Sequence, residues 1–129
     1  MPIGYKQMLA EAEAEVRSVS AGEGAELRAD PDVVFVDIRD PRELEREGMI
    51  PGAHAAPRGM LEFWIDPESP YHKPYFAEDR LFVFYCASGW RSLLAAQVAG
   101  RMGLRTASLT GGFGGWKRAG MEVAEGTRK

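Results

Sequence analysis

Short apolar runs alternate along the chain with stretches whose apolar residues recur at helical spacing. Val33-Val34-Phe35-Val36 and Leu81-Phe82-Val83-Phe84-Tyr85 are unbroken, the pattern of strands covered on both faces in a parallel sheet. Ala107-Ser108-Leu109 predicts a final short strand, Val16 to Val19 a short edge strand, and Ala53 to Ala56 another brief one. Tyr5 to Glu15 is rich in Ala, Glu, Met and Leu and predicts a helix. Ser20 with Glu23 forms a capping box for a second helix through about Arg28. Asp40-Pro41-Arg42-Glu43 is a third start, with Asp40 as cap, Pro41 at the first helical position and Gly48 as the stop. Met60 to Ile65 predicts a brief helix, and Leu94, Val98 and Met102 mark a longer one from Trp90 that Gly103 ends. After the glycine-rich run Thr110 to Trp116, only a last helical turn to Ala119 is expected.

Strands alternating with helices predict an α/β domain: a central, mostly parallel sheet of about five strands with helices on both faces. No repeat or linker divides residues 1–129, so a single domain is expected. Asp66 to Asp79 stands out, with Pro67, Pro70 and Pro74 among Tyr71, His72, Tyr75 and Phe76. It is long for a connection, and reads either as a lid over a site or as a surface loop held by its own aromatic rings.

Composition narrows the function. One cysteine excludes an internal disulfide and fits a reducing, cytoplasmic setting. His54, His72 and Cys86 have no ligand-like spacing, so no metal is expected, and both histidines read as surface residues. There is no apolar leader and no run of about 20 apolar residues, so no membrane span is expected. The net charge of −3 argues against nucleic acid. Its distribution says more. Residues 1–30 hold three basic and six acidic side chains, whereas Arg80 to Met121 holds no acidic residue and Arg80, Arg91, Arg101, Arg105, Lys117 and Arg118.

Cys86 lies inside that basic stretch, where an apolar strand ends and a helix begins. Carboxyl ends of parallel strands are where sites form, and Asp37 falls at one too. The unpaired N–H groups of a helix N-terminus favour thiolate over thiol, and the thiolate is the nucleophile. A lone cysteine after a strand is more often a core hydrophobe. Here Ser88, Gly89 and Arg91 supply a turn, backbone room and a charge, which favours the reactive reading.

Several segments, in order, resemble the rhodanese family of single-domain sulfurtransferases. They are Val36-Asp37-Ile38-Arg39 with Glu43, Ile50-Pro51-Gly52-Ala53, the loop Cys86-Ala87-Ser88-Gly89-Trp90-Arg91-Ser92, and Leu109-Thr110-Gly111-Gly112-Phe113-Gly114-Gly115-Trp116. The match runs from about Val16 to Gly120. It makes residues 1–15 a helical extension and 66–79 an insertion in a rhodanese-like three-layer fold. The chain departs from the pattern at Met49, where many members have histidine. It also has Ala87 and Ser88 where thiosulfate enzymes often place a cation.

The resemblance implies that the Cys86 thiolate takes the outer sulfur of a small anionic donor such as thiosulfate. The resulting persulfide passes that sulfur to cyanide or a thiol, including a protein thiol. No cofactor is implied. The amides of Ala87, Ser88, Gly89, Trp90 and Arg91 are expected to form a nest around the sulfur, with Arg91 stabilising it or orienting the donor. Asp37 and Arg39 are expected to brace the loops, Arg39 by pairing with Glu43. Arg58, after Pro57, is a candidate for binding the donor, against the commoner outcome of an exposed arginine. Trp90 either walls the pocket or simply packs, and Trp116 is expected in the core. Two rival functions remain: a non-catalytic binding or sulfur-carrier module, and a cysteine-dependent phosphatase or arsenate reductase. The latter sites typically need five residues between cysteine and arginine, and here only Ala87 to Trp90 intervene. A thioredoxin-type protein is excluded for want of a second cysteine.

Overall fold

The computed structural model describes residues 2–126. Five strands form one sheet in the order β1-β5-β4-β2-β3, and every neighbouring pair is parallel. They are β1 (Arg17–Val19), β2 (Val33–Asp37), β3 (His54–Ala55), β4 (Leu81–Tyr85) and β5 (Arg105–Leu109). The two unbroken apolar runs are β2 and β4, and β4 is central.

Side chains alternate along β4 between two cores, as a strand requires. Phe82, Phe84 and Cys86 face a layer containing Ala12 of α1 (Tyr5–Glu15), Leu61 and Ile65 of α4 (Leu61–Ile65), and Leu93, Ala96 and Ala99 of α5 (Trp90–Arg101). Val83 and Tyr85 face the other layer, with Ala21 and Ala25 of α2 (Ala21–Leu27) and Phe113 and Trp116 of α6 (Gly112–Arg118). This is the three-layer α/β arrangement that the alternating elements predict.

Both predicted capping boxes form. Ser20 and Glu23 cap α2, and Asp40 and Glu43 cap α3 (Pro41–Glu47), which Gly48 ends at φ 85°. Trp116 is fully buried and donates its Nε1–H to the Glu122 carbonyl at 2.7 Å. The larger departure is α6, which is helical through the glycines themselves rather than a single turn after them. Glycine is a poor helix former, but here the backbone is held from outside, as the site shows.

The Asp66–Asp79 segment is tied to neighbouring elements. Lys73 donates its N–H to the Trp64 carbonyl at 2.9 Å, and His72 Nδ1 lies 3.0 Å from the same oxygen. The Tyr75 ring stacks on His54 at 4.1 Å and Phe76 packs on Phe82 at 5.4 Å. Those contacts hold the segment along the β3 edge and the amino end of β4. Cys86 is at the opposite end of β4, which favours the surface-loop reading over the lid.

Candidate active site

Cys86 follows β4 directly and is completely buried. Its Sγ receives the Gly89 N–H at 3.1 Å and the Ser92 N–H at 3.4 Å, and lies 3.6 Å from the Ser92 hydroxyl. Gly89 turns the chain at φ 110° as the N-cap of α5, a left-handed conformation that side chains resist. That turn brings the Gly89 and Ser92 amides onto the sulfur. The expected nest is therefore corrected in its membership. Among the described residues the backbone N–H donors to the sulfur are Gly89 and Ser92, not the amides of Ala87, Ser88, Trp90 or Arg91. Ser92 completes the first turn of α5, where a free N–H points out of the helix end.

The loop is clamped from behind by α6. Phe113 donates its N–H to the Cys86 carbonyl at 2.7 Å, and Gly114 to the Ala87 carbonyl at 3.0 Å. Gly112, at φ 58°, makes this approach possible, because a Cβ there would overlap the Cys86 carbonyl oxygen. The glycine-rich run thus works as a backbone clamp, a role that its composition as a loop did not reveal.

Arg91 lies beside Cys86 and is held by an acidic partner. Its Nη1 and Nη2 bind the two carboxylate oxygens of Glu43 at 3.0 and 3.1 Å. This bidentate pair links α5 to the start of α3. The Glu43 hydrogen bonds raise the pKa of Arg91, with smaller contributions from its charge and from Cys86 nearby. Arg91 in turn lowers that of Glu43, against the opposing effect of burial.

Arg39 does not pair with Glu43. It turns back to Asp37, with Nε at 3.0 and 3.2 Å and Nη2 at 2.7 Å from the carboxylate, and Nη2 also reaches the Gly48 carbonyl at 2.7 Å. The reason is local: Arg39 precedes the Asp40 cap, so helical i,i+4 spacing does not apply. The period-two geometry of a strand end puts Asp37 and Arg39 on one side instead. The guanidinium lies 4.4 Å from the Phe113 ring centre and 5.8 Å from that of Tyr85. Burial lowers the pKa of Arg39, but the Asp37 hydrogen bonds and charge outweigh it and the net shift is upward. Burial, followed by the Asp37 charge and hydrogen bond, raises that of Tyr85.

Arg58 is occupied by Glu62, one helical turn on, at 2.8 Å. Its backbone N–H binds the Ile38 carbonyl just past β2 at 3.2 Å. Trp90 is 58% exposed and rests on Tyr5 of α1, ring centres 5.4 Å apart. With Leu9, Glu13, Ser18, Ser88, Ser108 and others it walls a cavity of about 260 Å³. His54 is exposed and His72 partly so. Among the described residues, no cluster of three or more His, Cys, Asp or Glu is arranged to hold a metal. No helix there is long and apolar enough to cross a membrane.

The family profile described as "Rhodanese-like domain" matches residues 20–119, and the chain belongs to that family. A Bacillus subtilis (strain 168) protein named "Putative sulfurtransferase YtwF" is 28% identical over 104 residues, covering 80% of this chain and 92% of that one. Among solved structures, a protein of unknown function from Rhodopseudomonas palustris CGA009 is similar with a TM-score of 0.93 and 52% identity, over 95% of this chain and 96% of that one. It is described as a possible tyrosine phosphatase. A thiosulfate sulfurtransferase from Pseudomonas aeruginosa matches with a TM-score of 0.74 and 28% identity, over 96% of this chain and 23% of that one.

Proposed function

We propose that this protein is a sulfurtransferase that carries a sulfane sulfur on Cys86. The observation that carries the reading is the pair of N–H groups, from Gly89 and Ser92, directed at a buried sulfur at the start of α5. Backbone donors aimed at one atom stabilise its anionic form, and each charge-assisted bond contributes about 1.5–3 kcal/mol. The thiolate attacks the outer sulfur of a donor such as thiosulfate. The S–S bond breaks, sulfite leaves with the bonding pair, and Cys86 holds a persulfide. A thiol or cyanide acceptor then attacks the terminal sulfur and regenerates the thiolate. With no second cysteine in the chain, the persulfide cannot resolve internally, and the sulfur goes to an external acceptor. Arg91, held in place by Glu43, adds a positive charge beside the sulfur, and the Asp37–Arg39 pair holds the loop ends.

The description of the Rhodopseudomonas relative favours a second reading, a cysteine-dependent phosphatase. Two features weigh against it. Four residues separate Cys86 from Arg91, and both ends of the Arg91 fork are bound to Glu43 rather than free to grip an oxyanion. Parallel assays decide between them: thiocyanate formation from thiosulfate and cyanide, and hydrolysis of p-nitrophenyl phosphate. Sulfur transfer that Cys86→Ser abolishes, with no phosphate release, is the expected result. Cys86-dependent phosphate release without sulfur transfer overturns the proposal.

A further inference from the structure

The sulfur is joined to a second buried side chain that the reaction just proposed does not use. Ser92 Oγ lies 3.6 Å from Cys86 Sγ, 3.2 Å from the Gly89 carbonyl and 3.0 Å from Ser108 Oγ. Ser92 is fully buried and Ser108 is 3% exposed. Ser108 comes from β5, the strand beside β4, and faces the cavity that Leu9 and Glu13 of α1 close.

A hydroxyl has one proton to give and two acceptor sites. When Cys86 is a thiol, its S–H donates to Ser92, whose own proton satisfies the Gly89 carbonyl. When the sulfur is charged, the Ser92 proton must turn to it, and the Ser92 oxygen is left as an acceptor with no donor. The Ser108 hydroxyl is placed to fill that acceptor. We propose that Ser108 is a positioning residue for Cys86, acting through Ser92: its proton lets Ser92 give its own to the charged sulfur. No atom is gained or lost in the switch, which reorients two hydroxyls as one proton leaves the thiol for water. Hydrogen bonds in such a chain strengthen one another, so the second hydroxyl matters although it does not touch the sulfur.

The charged groups around the sulfur belong to other elements and are left intact by changes at Ser108. Arg91 of α5 is held by Glu43 of α3, the Asp37–Arg39 pair lies at the end of β2, Arg118 of α6 sits against Gly114, and Glu13 of α1 lines the cavity.

The inference rests on Cys86 being the reactive group of the sulfurtransferase reading, and its test needs no sulfur donor. Iodoacetamide alkylation of Cys86 would be followed from pH 5 to 10 in the parent, Ser92→Ala, Ser108→Ala, Ser108→Thr and the double alanine variant. Ser108→Ala should move the profile toward higher pH and slow alkylation in its rising part by roughly threefold, leaving the high-pH plateau unchanged. Ser108→Thr, which keeps the hydroxyl, should restore the parent profile. In the Ser92→Ala background Ser108→Ala should add nothing, because its effect passes through Ser92. An unmoved profile in Ser108→Ala, or an equal effect with and without Ser92, overturns the inference. If Ser108→Ala unfolds, the Ser108→Thr and Ser92→Ala profiles still decide: a parent-like profile in Ser92→Ala removes the link through which Ser108 acts. Failure of sulfur loading from donors, with these profiles as expected, would count against the sulfurtransferase reading alone.

Discussion

Two buried polar clusters sit side by side at the carboxyl ends of β2 and β4, and they are built on opposite plans. The Asp37–Arg39 cluster holds two full charges that neutralise one another, with the spare guanidinium N–H on the Gly48 carbonyl and its faces against Phe113 and Tyr85. Both Nε and Nη2 of Arg39 are occupied. The Cys86 cluster holds one atom able to carry charge, surrounded by neutral donors from Gly89 and Ser92. Arg91, whose fork binds Glu43, also interacts with Cys86. The satisfied pair fixes geometry, whereas the sulfur, with Arg91 beside it, is the atom that the proposed function sets to react.

The largest effect is expected where the Asp37–Arg39 brace loses one partner. Arg39→Met leaves the Asp37 carboxylate buried without its cation and should cost about 3–5 kcal/mol in urea unfolding. Adding Asp37→Asn should recover part of that loss. If Arg39→Met instead left stability intact and abolished sulfur transfer, Arg39 would belong to the reactive cluster.

Next in size is the clamp that joins the two clusters. Gly112→Ala places a Cβ at φ 58° against the Cys86 carbonyl and should cost about 2 kcal/mol or more. It should also lower sulfur transfer per folded molecule, because the loop loses the Phe113 and Gly114 donors behind it.

Glu43 gives a smaller effect with a definite sign. Its pKa is lowered chiefly by the hydrogen bonds from Arg91, so the pair stabilises the fold above the ordinary glutamate value of 4.5. That contribution fades as pH falls through the lowered folded value. The pair is partly exposed, and Glu43→Gln should cost less than about 1 kcal/mol at neutral pH and flatten the acid limb of stability. The smallest effect is at Trp90. Trp90→Ala removes an exposed, tilted ring contact with Tyr5 and should stay within about 0.5 kcal/mol in thermal unfolding, so a change in donor or acceptor KM would reveal a wall of the substrate pocket.

What the sequence made legible was local. The capping boxes at Ser20–Glu23 and Asp40–Glu43 and the strands β2 and β4 follow from neighbouring residues, and each formed as read. Cys86 at the junction of strand and helix was legible for the same reason. The partners of Glu43 and Arg91 were not, because 48 positions separate them and only the sheet order brings α3 to α5. The α6 helix was missed because glycine composition argues for a loop. Its backbone donors to Cys86 and Ala87 supply a tertiary tie that propensity cannot register. The Ser92–Ser108 contact joins the first turn of α5 to β5, and two serines carry no signal until the packing of that helix on the sheet is known.

The central claim is that Cys86 carries sulfur, and intact-mass measurement tests it most directly. Reduced protein would be incubated with thiosulfate, and separately with 3-mercaptopyruvate, beside a Cys86→Ser control. One added sulfur atom from at least one donor is expected, absent in the control and removed by cyanide. No adduct from either donor, with the fold intact and Cys86 reduced, would contradict it.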